Sequence, residues 1–131
     1  FETRPSVKGP PLAQRTVTLI STAGLNMRGE RPVAPRDTRY RVIPHRAAAN
    51  DIVMSHVSVN FDRTGFQRDL NVILPRDRLQ ELADKQVIGA VADEHYAFMG
   101  ATEAHLLEAS SKKLARELHE KGVDSALLIP V

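Results

Sequence analysis

A chain of 131 residues holds about one domain and can bury a modest core. Its net charge of +2, spread over 18 basic and 16 acidic residues with few aromatics, excludes a nucleic-acid-binding stripe. Cysteine is absent, which excludes disulfides, thiolate metal sites and thiol chemistry by these residues, and no apolar run reaches membrane-spanning length.

Residues 1–15 carry Pro5, Gly9, Pro10 and Pro11 among polar residues and read as an irregular arm. Phe1 is not an initiator methionine, so the native start need not be here. No signal-peptide pattern is present, and the expected location is the cytoplasm. Residues 16–131 read as one domain. Thr16–Ile20 is β-branched and apolar, hence a strand, and Ser21–Gly24 follows as a tight loop. Gly29–Pro44 is rich in Arg, Pro and Asp, long for a connection, with Tyr40–Ile43 as a short strand inside it. Asp51–Val57 reads as a strand and Asn71–Leu74 as a short buried one. Pro75 leads to Asp77, an apt helix cap with Gln80 three residues on. Leu79, Leu82 and Ala83 form the buried stripe of that helix.

Val87–Val91 is small and apolar, and reads either as a strand or as a tight helix–strand packing point. Thr102 is expected to cap the longest helix, running to about Lys121, with Leu107, Leu114 and Leu118 on one face and Ala115 beside them. Gly122 suits the position just past its end. Ser125–Ile129 reads as a closing, buried strand. Strands alternating with helices predict an α/β single domain with a largely parallel sheet flanked by helices.

Several polar groups fall at expected strand ends, where open α/β sheets place their reactive groups. Ser21 and Thr22, with Ala23 and Gly24, can present hydroxyls and N–H groups to an anion, or form an ordinary glycine turn. The P-loop pattern is missing. His56 is a candidate general base and Asp62 its orienting partner, against a structural histidine at even odds. Asn71 either ties two loops together or points into a site. His95, Tyr96, Phe98, Met99 and Gly100 fit neither helix nor strand pattern and read as a loop lining a pocket, with Gly100 allowing close backbone approach. The alternative is a hydrophobic plug around a hydrogen-bonded histidine. No histidine spacing supports a metal site. A Ser/His hydrolase is a weak further reading, because the G-x-S-x-G elbow is absent.

Together these segments resemble the selenoprotein B family of glycine, betaine, sarcosine and D-proline reductases. The resemblance runs through Leu19–Gly24, Ser55-His56 with Asp62, Asp69-Leu70-Asn71, Leu74–Leu79, and Ile88-Gly89 through His95–Gly100. It continues from Gly122–Asp124 to Leu127–Val131. It implies reductive cleavage of a C–N bond in a small amino-acid-like substrate. It also implies a cysteine or selenocysteine directly after the Leu127–Val131 strand, and a pyruvoyl group on a partner subunit that activates the substrate amine. On that pattern the domain is incomplete at its C-terminal end. The thiol, selenol or pyruvoyl group would lie on a further segment or a partner chain, and this chain alone would not perform thiol chemistry. His56 and His95 are then the candidate catalytic residues. Ser21, Thr22, Asp62, Asn71, Tyr96, Met99 and Gly100 are the candidate substrate-binding ones. The expected partners are a small-molecule substrate and a companion subunit or further copies of the chain. The alternative from another class is a non-catalytic α/β subunit that shapes or scaffolds a partner's active site.

Overall fold

The first long apolar strand becomes the hub of the sheet. In the computed structural model, which describes residues 7–60 and 62–131, β1 (Thr16–Ser21) pairs in parallel with three later strands. These are β5 (Ala90–Val91), β6 (Glu94–Ala97) and β7 (Ser125–Ile129). Alternation along β1 sorts the partners. The carbonyls of Val17 and Ser21 accept from Ala92 and Phe98 on one side, while the Thr22 amide donates to Ile129 on the other. β5 and β6 therefore share one flank and β7 takes the other. β3 (Arg41–Pro44) adds antiparallel outside β6. β2 (Leu25–Met27) and β4 (Ile52–Met54) form a separate antiparallel pair. The architecture is mixed α/β, with a mostly parallel sheet flanked by helices.

Each sheet face has its own core. Val17 and Leu19 pack with Ile73, Leu74, Leu79 and Ile88 beneath α2 (Arg76–Asp84). Ile20, Tyr96 and Phe98 pack with Leu114 and Leu118 of α3 (Glu108–Glu120) on the other face. α1 (Thr64–Arg68) is a short surface helix. Of the arm read over residues 1–15, residues 1–6 lie outside those described; from Val7 the chain is irregular apart from a 3-10 turn at Leu12–Gln14.

Several expectations are corrected. Asn71–Leu74 is not a strand, because Leu70–Val72 closes into a 3-10 turn capped by the Asp69 carboxylate. α2 starts at Arg76, so Asp77 lies inside its first turn, and Leu82 faces outward at 39% exposure. Only Ile52–Met54 of the strand read over 51–57, and only Ala90–Val91 of that over 87–91, are extended. Thr102 does not cap α3. Its hydroxyl donates to the Asp37 carbonyl at 3.0 Å, and a 3-10 turn, Ala104–Leu107, intervenes before Glu108. Ala115 is exposed. His95–Ala97 belongs to β6 rather than to a loop. β7 is an edge strand, not a buried one.

Candidate functional site

Because β1, β6 and β7 run parallel, their carboxyl ends lie side by side. Ser21 is level with Ala97 on one flank and with Ile129 on the other. The chain segments just past these ends are tied together. The Thr22 amide donates to Ile129 at 3.1 Å, and Gly100 donates to the Thr22 carbonyl at 2.9 Å. Gly24 donates to Phe98, and its own carbonyl accepts from Ser55, both at 2.9 Å. The Thr22 hydroxyl accepts from the Val131 amide at 2.8 Å and reaches the Val131 carbonyl at 3.3 Å. One side chain thus holds both backbone polar groups of Val131.

Two glycines make this closeness feasible. A Cβ on Gly100 would sit 2.7 Å from the Thr22 carbonyl oxygen. Gly24 has φ +64°, in the left-handed region, and a Cβ there would meet Met99 Cε at 3.1 Å and the His56 backbone at 3.2 Å. Met99 is fully buried and bridges Ala23. Ser21, also fully buried, accepts from the Ala23 amide at 3.2 Å.

His56 is buried just after β4, beside this edge. Its Nδ1 accepts from the Ser58 amide at 3.2 Å, so the neutral ring carries its proton on Nε2. Arg63 donates to its carbonyl at 2.6 Å. Burial first, and the Arg63 charge second, push the His56 pKa down. The ring is therefore neutral near pH 7, with Nδ1 engaged and Nε2–H as its donor. Sequence reading missed Asn26, which is buried and accepts from the Ser55 hydroxyl at 2.7 Å. A single Asn between Leu25 and Met27 was the available signal.

His95 sits elsewhere, in the interior of the sheet. Thr16 pairs with Ala90 but Ile20 pairs with Tyr96, so the pairing offset grows from 74 to 76 along β1. The two added residues open the ladder opposite Leu19. The His95 ring fills the opening, and its Nδ1 accepts from the Leu19 amide at 3.2 Å. That bond fixes the tautomer and orders a line of donors. Nε2–H of His95 donates to His45 Nδ1 at 3.0 Å, and His45 Nε2–H to Gln80 at 3.0 Å. Gln80 donates in turn to Asp84 at 2.8 Å. His95 is fully buried, and burial, then the neighbouring His45 and Arg76, bring its pKa down to about 4.

The remaining candidates are dispersed. Asn71 accepts from the Asp77 amide at 3.1 Å and donates to the Asp69 and Asp77 carboxylates at 2.9 Å each, which caps α2. Asp62 accepts from the Thr64 amide at 2.8 Å, at the start of α1. Tyr96 lies under α3, donating to Glu94 at 3.0 Å with its ring edge-on to Tyr40. The structure therefore gathers Ser21, Thr22, His56, Met99 and Gly100 at one edge. His95 lies inside the sheet, Tyr96 under α3, Asn71 at the start of α2 and Asp62 at the start of α1. Among the described residues, no group of three or more His, Cys, Asp or Glu converges to hold a metal ion, and no helix is long and apolar enough to cross a membrane.

Comparison with known proteins adds the family. The model of the glycine/sarcosine/betaine reductase selenoprotein B family matches residues 12–130. D-proline reductase subunit gamma of Acetoanaerobium sticklandii is 33% identical over 120 residues. The match covers 89% of this chain and 49% of that protein, so the chain spans about half the length of its curated relative. No solved structure matches. Aligned strand ends, a Val131 held by Thr22 and a family match over nearly the whole chain agree: this chain belongs to the glycine/sarcosine/betaine reductase selenoprotein B family.

Proposed function

We propose that the chain works as a subunit of a reductase that cleaves a C–N bond of a small amino-acid-like substrate. The thiol or selenol would occupy the position following Val131 in the family pattern. The observation that carries this reading is the double hold of Thr22 on Val131 at the carboxyl edge of the sheet. A parallel strand delivers its next residue to that edge, and the hold fixes the direction of delivery. None of the 131 residues is a cysteine, so the reactive group comes from outside them.

In this reading the substrate carbon takes the sulfur or selenium electron pair as its C–N bond breaks. The departing nitrogen keeps that bond's pair and takes a proton. A dithiol reductant then supplies the two electrons that free the product. His56, with Nδ1 already accepting from the Ser58 amide, would act through its Nε2–H, a donor suited to stabilising the thiolate or selenolate and so raising its anionic fraction. Gly100 and Gly24 let the backbone approach closely, while Ser21 and Met99 brace the loops from within. His95 is a positioning residue, since it holds β1 and β6 together across their opening. A pyruvoyl group on a companion subunit would engage the substrate amine, and no residue of this chain is assigned to it.

The test is Thr22→Val in the complete native assembly. Valine keeps the shape and removes both hydrogen bonds to Val131. Turnover is expected to fall at least tenfold while the melting temperature shifts by only a few degrees. Unchanged turnover would refute the role of the edge and favour a scaffolding subunit.

A further inference from the structure

β7 leaves one border of the sheet open. Among the described residues its pairing is with β1. Ile129 accepts from the Thr22 amide on the β1 side, so alternation turns the N–H and C=O groups of Ala126 and Leu128 outward. Both faces are open as well. Leu127 is level with Leu19 and Leu128 with Ile20, which puts the two leucines on opposite faces, 49% and 67% exposed. Beside Ala126 and Leu128 runs an apolar groove of about 410 Å³, floored by Ile20, Phe98 and Leu114.

Sheet borders that face water are blunted by lysine, proline, bulges or shortness. Ser125–Ile129 has no charge, no proline and unbroken register with β1 over five residues. It is a template for another strand. Since both faces are bare, a lone strand would not suffice; the occupant must bring layers above and below the sheet.

The Acetoanaerobium relative supplies the size of such an occupant. This chain spans 49% of it, and the unmatched part is about one domain in length. We propose that the outer border of β7 is a docking edge for polypeptide equivalent to that unmatched half, which extends the sheet by a strand at Ala126 and Leu128 and fills the adjoining groove. The inference rests on the family relationship and the border geometry, not on the bond-cleaving chemistry.

The test places the photoreactive residue benzoylphenylalanine at position 128 of the protein in its native assembly. Cross-linking is expected to capture a segment similar in sequence to the relative's unmatched half. Capture of a second copy of this chain, or of nothing, would overturn the proposal. Hydrogen exchange in the unsubstituted assembly gives a second readout. The Ala126 and Leu128 amides should exchange as slowly as those of Leu127 and Ile129, which face β1. Exchange at least 100-fold faster would also overturn it.

Discussion

Mild acid should destabilise this protein through His95 before its carboxylates titrate. An unfolded histidine has a pKa of 6.5, whereas His95 in the fold has about 4. Between those values the unfolded chain binds a proton that the folded chain refuses. Stability therefore falls as pH falls through this window, by up to about 1.4 kcal/mol per pH unit. Across the whole window the loss is roughly 3 kcal/mol, and below about pH 4 it stops because both states are protonated. His56 is shifted the same way and adds to the slope. Asp37 and Glu94, both held low by basic neighbours, contribute stability that is lost only below their unfolded values of 3.8 and 4.5. The range from pH 6.5 to 5 thus belongs to the histidines. Urea denaturation at several pH values, on the native protein and on His95→Gln, separates the contributions. Glutamine still offers an oxygen to the Leu19 amide but does not titrate. The variant should show a shallower slope, worth up to about 2 kcal/mol over that range. Equal slopes, or a His95 ring titrating near 6.5 by NMR, would refute the reasoning.

Leu114 is 2% exposed between α3 and the sheet, so Leu114→Ala should cost about 2–5 kcal/mol in chemical denaturation, while Ala115→Ser at the exposed neighbouring position should be near neutral. The Asp37 side chain is 5% exposed and accepts from both Arg39 and Arg41; Asp37→Asn should lower stability by about 2–4 kcal/mol by the same measurement. Gly100→Ala should force the Thr22 loop apart, because the new carbon has backbone oxygen 2.7 Å away. Loss of hydrogen-exchange protection at the Val131 amide would report it, and unchanged protection would refute it.

The strands and helices written in strong apolar patterns were legible. Thr16–Ile20, Tyr40–Ile43, Ser125–Ile129 and the Leu114/Leu118 face of α3 all lie where their spacing put them, within a residue or two. What failed depended on long-range geometry. His95-Tyr96 looked like a loop because a strand rarely carries a buried histidine. Its reason for being there, a break in a ladder 76 residues away, has no local trace. Asn71 was weighed as a tie between loops or a site residue; in the fold it bonds Asp69 and Asp77 at the start of α2. Ser125–Ile129 looked buried because its apolar residues were counted without their neighbours. Of the edge cluster, Thr22 and Gly100 were legible from the resemblance and from loop chemistry. Asn26 was not, because one polar residue in an apolar run gives little signal.

The position of β1 at the hub has a consequence for biosynthesis. Its partners lie 74, 76 and 108 residues further along the chain. At a translation rate of about 5–20 residues per second, β1 leaves the ribosome some 5–22 s before the last of them. Until β5 and β6 emerge, Val17, Leu19 and Ile20 have no partner strand to join, and one flank of β1 stays open until β7 follows. Within this segment β1 is made well before β7, the last of its partners to emerge. Chaperone occupancy during translation should accordingly peak over the nascent segment around Thr16–Ser21 and fall only once Ile129 has emerged.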